Sequence, residues 1–449
     1  MVMKTVRHSF LLMVSLLCVG RASAQSSGSE YQPTVFMVLA EGRNGNSPKG
    51  VYDVWVDQQI GANNVATMFE ITERTGFQQT PNPQFIFSTA DNRFALGIGG
   101  YISLRTSYDF KGAVDNIDFI PYDIPMTATY ANRQRVMMDA STSRLFTKAV
   151  INSRTLGRVV AYMDMDFRGG AEFSYTPHLR SAYVSLLGFT AGRDVTTFCD
   201  LQAAPETIDH QGPNAYNFNF ATMLRYEHSF FREHLTLGVA LEMPVVSGTY
   251  GEYFKPISQR VPDIPLYVEY AWGRECRSHV RASAVLRNMY MHNASTGENT
   301  SLFGWGVQAS GRVAVCDMFT LFFNGVYGEG ITPYIQDLTG SGLDFTPNPA
   351  NLSKIQTMPM WAVQGSAQVD IIPERFWVSG GYSVARVQQH NGFYAPGEYR
   401  RGTYIFGNVF YKLTDNCVLA AEYLHGGRKN MDGLKSDANR LSVMVQYHF

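Results

Sequence analysis

Past residue 93 the chain alternates between apolar and small or polar side chains in segments about ten residues long, which leaves it few ways to fold. Phe94, Leu96, Ile98, Ile102 and Leu104 interleave with Ala95, Gly97, Gly99, Ser103 and Arg105. Leu235, Leu237, Val239, Leu241 and Met243 interleave with Thr236, Gly238, Ala240 and Glu242 in the same way. A period of two sends successive side chains to opposite faces of a strand, so each segment has one apolar face and one small or polar face. Strands in soluble sandwiches run ~5 to 6 residues, whereas ~9 to 11 cross a bilayer at a tilt. No run of ~18 apolar residues follows the N-terminus, which excludes membrane-spanning helices. Charged residues make up 17% against the ~25% usual for soluble domains, and the net charge of -1 removes any global electrostatic case for binding nucleic acid.

The connections between these segments alternate in length. Short polar or Pro-containing turns are predicted at 154–157, 187–188, 231–234, 273–278, 316–317, 373–374 and 414–416. Long connections are predicted at 111–140, 169–178, 196–215, 244–263, 293–299, 329–358, 391–400 and 427–437. Seven short turns and eight long loops join sixteen strands. The fold expected is therefore all-β: a transmembrane antiparallel barrel of about 16 strands, with long extracellular loops and short periplasmic turns. With no water in hydrocarbon, every strand amide must be paired, and a closed barrel does this without helices. At sixteen strands the interior is too wide for wall side chains to fill, so the architecture reads as a pore.

The ends of the chain fit an outer-membrane destination in a Gram-negative bacterium. Lys4, Arg7 and His8 precede an apolar stretch and Ala22-Ser23-Ala24, the pattern of a signal peptide covering 1–24. Its removal leaves 34 Lys and Arg against 38 Asp and Glu, a net charge of -4. Residues 25–92 do not follow the barrel pattern and read as an N-terminal extension, periplasmic or pore-associated, with a short helix expected over 66–73; the barrel occupies 93–449. The last strand alternates Leu441, Val443, Val445, Tyr447 and Phe449 with polar neighbours. Tyr447 and the terminal aromatic Phe449 resemble the signal read by the barrel assembly machinery. Cys199, Cys276, Cys316 and Cys417 show neither C-x-x-C nor zinc spacing, so no metal or cofactor is expected. Directly opposed residues of the hairpin carrying Cys276 and Cys316 have numbers with an odd sum, and 276 and 316 sum to an even number. These thiols are therefore expected to be free.

Several motifs between 143 and 214 resemble a known family. They are Ser143-Arg144-Leu145, Gly157-Arg158-Val159-Val160-Ala161-Tyr162 with Asp166-Phe167, and Leu179-Arg180-Ser181-Ala182-Tyr183-Val184. The most specific runs from Thr190 through Gly192-Arg193-Asp194 to Cys199-Asp200 and continues with Ala204-Pro205-Glu206-Thr207-Ile208-Asp209 and Gly212-Pro213-Asn214. Together these resemble the DcaP-like trimeric outer-membrane porins. The resemblance implies a sixteen-stranded homotrimer that passes small anionic solutes such as dicarboxylates. Arg193-Asp194 stands where the family often has an uncharged pair, and Cys199 where it often has Met.

Strand parity turns Arg105, Arg144, Arg225, Arg281 and Arg287 inward, and Arg180 and Arg193 join them from the family-like segment as candidate pore-lining residues. Inward acids on the same parity include Asp164, Asp166, Glu227, Glu242, Glu269, Asp370 and Glu422. Rings of Arg favour anions, and facing basic and acidic walls set up a transverse field; pairing along the wall is the alternative. The polar, Pro-punctuated connection at about 196–215 is the expected constriction loop, with Glu206, Asp209 and His210 facing the pore. The function expected is passive diffusion of small hydrophilic, anionic solutes, with outer-membrane lipid and lipopolysaccharide as surroundings and no nucleic-acid partner. Two other classes stay open. One is a non-conducting surface barrel with adhesive or binding loops, since 111–140 and 329–358 are large. The other is a hydrolase using a His base; no G-x-S-x-G accompanies any of His178, His228, His279 or His448, so no enzyme activity is expected.

Overall fold

The computed structural model describes residues 35–39, 82–89, 93–171, 173–231, 233–388, 395 and 397–449. The predicted signal peptide, the short helix over 66–73 and most of the 25–92 extension lie outside the described residues. Sixteen strands form the wall. They are β1 (Phe94–Lys111), β2 (Arg144–Ser153), β3 (Gly157–Gly169), β4 (Thr176–Leu186), β5 (Phe189–Val195), β6 (Phe220–Phe230), β7 (Leu235–Glu242) and β8 (Ile264–Trp272). Then come β9 (Ser278–Asn293), β10 (Glu298–Cys316), β11 (Phe319–Glu329), β12 (Pro359–Ile372), β13 (Phe376–Val387), β14 (Tyr399–Thr414), β15 (Cys417–Asn430) and β16 (Lys435–His448).

Each strand pairs antiparallel with the next, and β16 closes on β1 through pairs such as Val443↔Thr106 and Tyr447↔Ile102. The backbones of Phe449 and Gly100 exchange two hydrogen bonds of 3.0 Å at this seam, so the C-terminal residue completes the closure. The alternation sorts as the two solvents require. On β1, Ile102 and Leu104 are 62% and 44% exposed on the outer wall, while Ser103 and Arg105 are 1% and 4% exposed facing the lumen. In the two-residue turn after β4, Leu187 and Gly188 both have positive φ (51° and 84°), as a tight turn matched to strand twist requires.

The short turns fall where predicted, but three connections expected to be long are tight: 170–175, 294–297 and 431–434. Polar residues there still pair in the ladder, because strands that rise above the hydrocarbon no longer need an apolar outer face; Asn293↔Glu298 and Lys429↔Lys435 are examples. Arg135–Asp139 pairs with the upper half of β1, above the start of β2. At the short-turn end, Phe85–Thr89 takes up the edge of β1 just beyond Phe449, and Val35–Leu39 lies parallel to it.

The lumen is not lined by wall side chains alone. The connections 112–143, 196–219 and 330–358 turn inward and bury Phe119, Phe198, Tyr334, Ile335, Leu338 and Phe345. A barrel of this size leaves room that its wall cannot fill, and here the chain's own loops fill part of it.

Candidate solute pathway in the barrel lumen

A β-bulge on β4 aims the key cation. Asp164 pairs with Ser181 and Met165 with Leu179, so Arg180 is the extra residue between them. Simple alternation would put Arg180 on the outer face with Ala182 and the exposed Val184; the bulge turns it into the lumen, 3% exposed. Its Nη1 donates to Asp166 Oδ2 at 2.9 Å and lies 3.0 Å from His210 Nε2. Around it, Arg144 forks onto Asp164, Arg168 pairs with Asp118, and Arg105 donates to Asp139 at 3.2 Å and to the Ile208 carbonyl at 3.2 Å.

Four guanidiniums thus meet four carboxylates in one corner of the lumen. Burial, with the nearby positive charges of Arg168, Arg180, Arg105 and Arg144, holds His210 well below the usual imidazole range. It is therefore neutral at pH 7, and its Nε2 accepts from Arg180. Beside it lies a cavity of about 170 Å³ lined by Asp166, Arg168, His178, Arg180, His210, Gln211, Phe218, Phe220 and Gln336. The Arg180 guanidinium sits 4.9 Å from the Phe220 ring centroid and 5.7 Å from that of Phe218.

The loop 196–219 is held at its base, middle and return. At the base, Thr196 Oγ1 and the Thr197 amide donate to Glu242 at 2.6 and 2.7 Å, and Asp200 accepts from Ser310 at 2.7 Å with His279 Nε2 at 3.0 Å. In the middle, Glu422 of β15 accepts the amides of Ile208 and Asp209 at 3.1 and 2.8 Å. Asp209 in turn accepts from the Phe119 amide at 3.0 Å and the Tyr404 hydroxyl at 2.9 Å. On the return, the Ala215 amide donates to Ser383 at 2.8 Å and its carbonyl accepts from Asn324 at 2.8 Å. Burial first, then the neighbouring Asp118 charge, pushes the Asp209 carboxyl up to about 6. Glu206 meets the wall through its backbone carbonyl, which accepts from Asn408 at 3.0 Å.

Of the predicted residues, Arg105, Arg144, Arg180 and His210 come together. Arg225 pairs with Asp194 and Glu227, and Arg281 donates to the Thr197 carbonyl with Glu269 at 3.8 Å. Arg287 pairs with Asp263 and Asp344 and donates to the Gly330 carbonyl at 2.6 Å, so these three tie down acids and loops. Arg193 is a correction. It pairs in register with the exposed Thr222, while its neighbour Asp194 turns inward to Arg225. Arg193 therefore lies on the outer wall, donating to the Leu179 carbonyl at 3.2 Å with its guanidinium over Phe220. Arg168, Phe218, Phe220 and Gln336 were missed. Arg168 is findable, because Asp164, Asp166 and Arg168 share one parity on β3; Phe218 becomes visible only once the loop turns inward, and Phe220 opens β6 on the parity of the exposed Thr222, which alternation reads as outward. Tyr447 is 51% exposed on the outer wall. The four cysteines are free thiols, and the β9–β10 register sums are odd, as in Val280↔Gly311.

Comparison with known proteins places this geometry. The family model described as DcaP outer membrane protein matches residues 60–349. Among solved structures, the outer membrane channel DcaP of Acinetobacter baumannii superposes with a TM-score of 0.69 at 20% identity, covering 81% of this chain and 99% of that one. An anion-selective porin from Comamonas acidovorans gives a TM-score of 0.51 at 12% identity, over 79% of this chain and 100% of that one. OmpT of Vibrio cholerae in its trimer form gives 0.50 at 11%, over 79% and 99%. These likenesses show the fold. No curated protein matches.

Proposed function

Since the chain belongs to the DcaP outer membrane protein family and folds as a multi-pass barrel of the outer membrane, we propose that it conducts small hydrophilic solutes by passive diffusion and engages small anionic, dicarboxylate-like ones at the Arg168–Arg180–His210 corner. The observation that carries this reading is the convergence of four arginines on one neutral imidazole beside a cavity. Each guanidinium already has a carboxylate partner, on the wall or on the 112–143 loop, so a solute carboxylate exchanges with Asp166 or Asp118 for the same fork. Such exchange lets a solute bind firmly enough to enter and weakly enough to leave. The loop 196–219 acts as the constriction, and the working unit is a homotrimer inserted by the barrel assembly machinery among lipopolysaccharide. The N-terminal extension 25–92 is periplasmic or pore-associated, and the pairing of Phe85–Thr89 with β1 at the short-turn end supports the periplasmic side. The signal peptide directs export.

The test is the reversal potential in a salt gradient for the wild type, R168Q/R180Q and H210Q. A lower anion-to-cation permeability ratio in R168Q/R180Q supports the reading, and an unchanged ratio overturns the anionic part of it. One observation favours a second reading, a barrel that does not conduct at rest and binds through its loops: 196–219 and 330–358 share a buried core inside the lumen. Absence of current in the same recordings would support that reading.

A further inference from the structure

The outer wall above β8 and β9 carries a basic patch that the channel does not use. On β9 the outward residues climb from Val280 through Leu286 and Asn288 to Tyr290 and His292, with Val280 and Leu286 each more than 40% exposed. From Val280 to Tyr290 is about ten residues at ~3.3 Å each, which at the usual barrel tilt spans ~25 Å, the height of the apolar band of an outer-membrane barrel. Tyr290 therefore stands at the extracellular interface, next to Phe303 of β10, which is 60% exposed.

Two cations sit at and just above that level. Lys255 lies opposite His292 in the ladder and is exposed. Arg260, also exposed, holds its guanidinium 5.3 Å from the centroid of the Tyr290 ring. Its position is fixed by the preceding residue. The Tyr290 amide donates to Gln259 Oε1 at 2.8 Å, and Gln259 Nε2 donates back to the Tyr290 carbonyl at 3.1 Å, so the glutamine side chain imitates a paired strand. Among the described residues neither cation is ion-paired, in contrast with the lumen arginines. Of the two acids nearest in sequence, Asp263 turns inward to Arg287 at 2.9 Å, and Glu252, three residues before Lys255, is exposed and forms no ion pair among the described residues.

We propose that Lys255 and Arg260 bind a phosphate of an outer-leaflet glycolipid whose acyl chains run down the wall over Leu286 and Phe303. The height of the pair matches the headgroup layer, and the free guanidinium fork suits a phosphate. This inference rests on the outer-membrane location and not on conduction, so it survives if the channel reading fails.

The test uses the full chain, freed of its own lipid in detergent and titrated with bisphosphorylated lipid A or with the same lipid stripped of phosphate, bound lipid being counted by native mass spectrometry. K255Q/R260Q should bind the phosphorylated lipid roughly twenty-five-fold more weakly than wild type, two cations at about fivefold each near a membrane surface. The control R277Q, which removes a cation at the opposite, short-turn rim, should bind as wild type does. Heat-modifiable gel mobility verifies the fold of each variant, and R260K, which keeps the charge but not the fork, should fall in between. Affinity of K255Q/R260Q within twofold of wild type, equal binding of the phosphate-free lipid, or an equal loss in R277Q would each overturn the proposal.

Discussion

Replacing Asp337 with Asn should remove a pH response from the clasp that holds the inward loops together. Asp337 lies in the 330–358 loop and accepts the Tyr122 amide at 2.9 Å, Asn214 Nδ2 at 3.3 Å and the Tyr399 hydroxyl. It thereby joins all three inward loops to β14 with neutral donors only. Burial pushes its carboxyl up to about 6, against an ordinary value of 3.8. A carboxyl raised in the clasped state holds its proton more tightly there than in the open state. Its contribution is therefore fully present below about pH 4 and is lost as pH rises through about 6. The difference is worth on the order of 3 kcal/mol, about a hundredfold in the ratio of clasped to open loops. The Tyr122 amide is a direct probe, because it opens to hydrogen exchange only when the clasp opens. In the wild-type barrel its protection should fall between pH 4 and pH 8 after correction for intrinsic exchange. Asp209, also pushed up to about 6, adds a response in the same direction, so D337N should flatten the slope and D209N/D337N should flatten it further. A wild-type slope of the opposite sign, or an unaltered slope in the double variant, would refute this.

Removing Phe449 deletes two seam hydrogen bonds to Gly100 as well as the terminal aromatic. Surface levels measured by protease shaving should drop severalfold, and normal levels would count against a role in assembly. Thiol labelling without reductant should find four reactive cysteines after denaturation. In the folded barrel Cys199, buried with its thiol pushed up by desolvation, should stay unlabelled while Cys276 reacts; two missing thiols in the denatured sample would reveal a disulfide. R193Q should leave the reversal potential unchanged while R180Q shifts it toward cations, and equal shifts would mean that the bulge does not aim Arg180 as described.

The wall was legible because two solvents impose a strict rule on every residue of it. Lipid outside and lumen inside make Ile102 and Ser103 differ in kind, and that difference is written one residue at a time. The rule fails where the backbone departs from it. Arg180 reaches the lumen through a bulge that alternation cannot reveal, whereas the neighbourhood of Arg193 suggests the lumen although its own parity points outward. The lumen's contents were the least legible part. Asp209 meets Tyr404, 195 residues away, and Asp337 meets Tyr122, 215 residues away, and no local pattern encodes such contacts. That the arginines are paired follows from the same cause, since Arg105 and Arg144 reach their acids only when the strands and the 112–143 loop come together.

The central claim, that this barrel is a diffusion channel with an arginine-lined corner, is met most directly by planar-bilayer recording of the purified full chain under a tenfold potassium chloride gradient. Stepwise ohmic conductance is expected, with a reversal potential on the chloride side that moves toward zero in R168Q/R180Q. A reversal potential on the potassium side would contradict the anionic corner, and silence at every pH from 4 to 8 would contradict the channel itself.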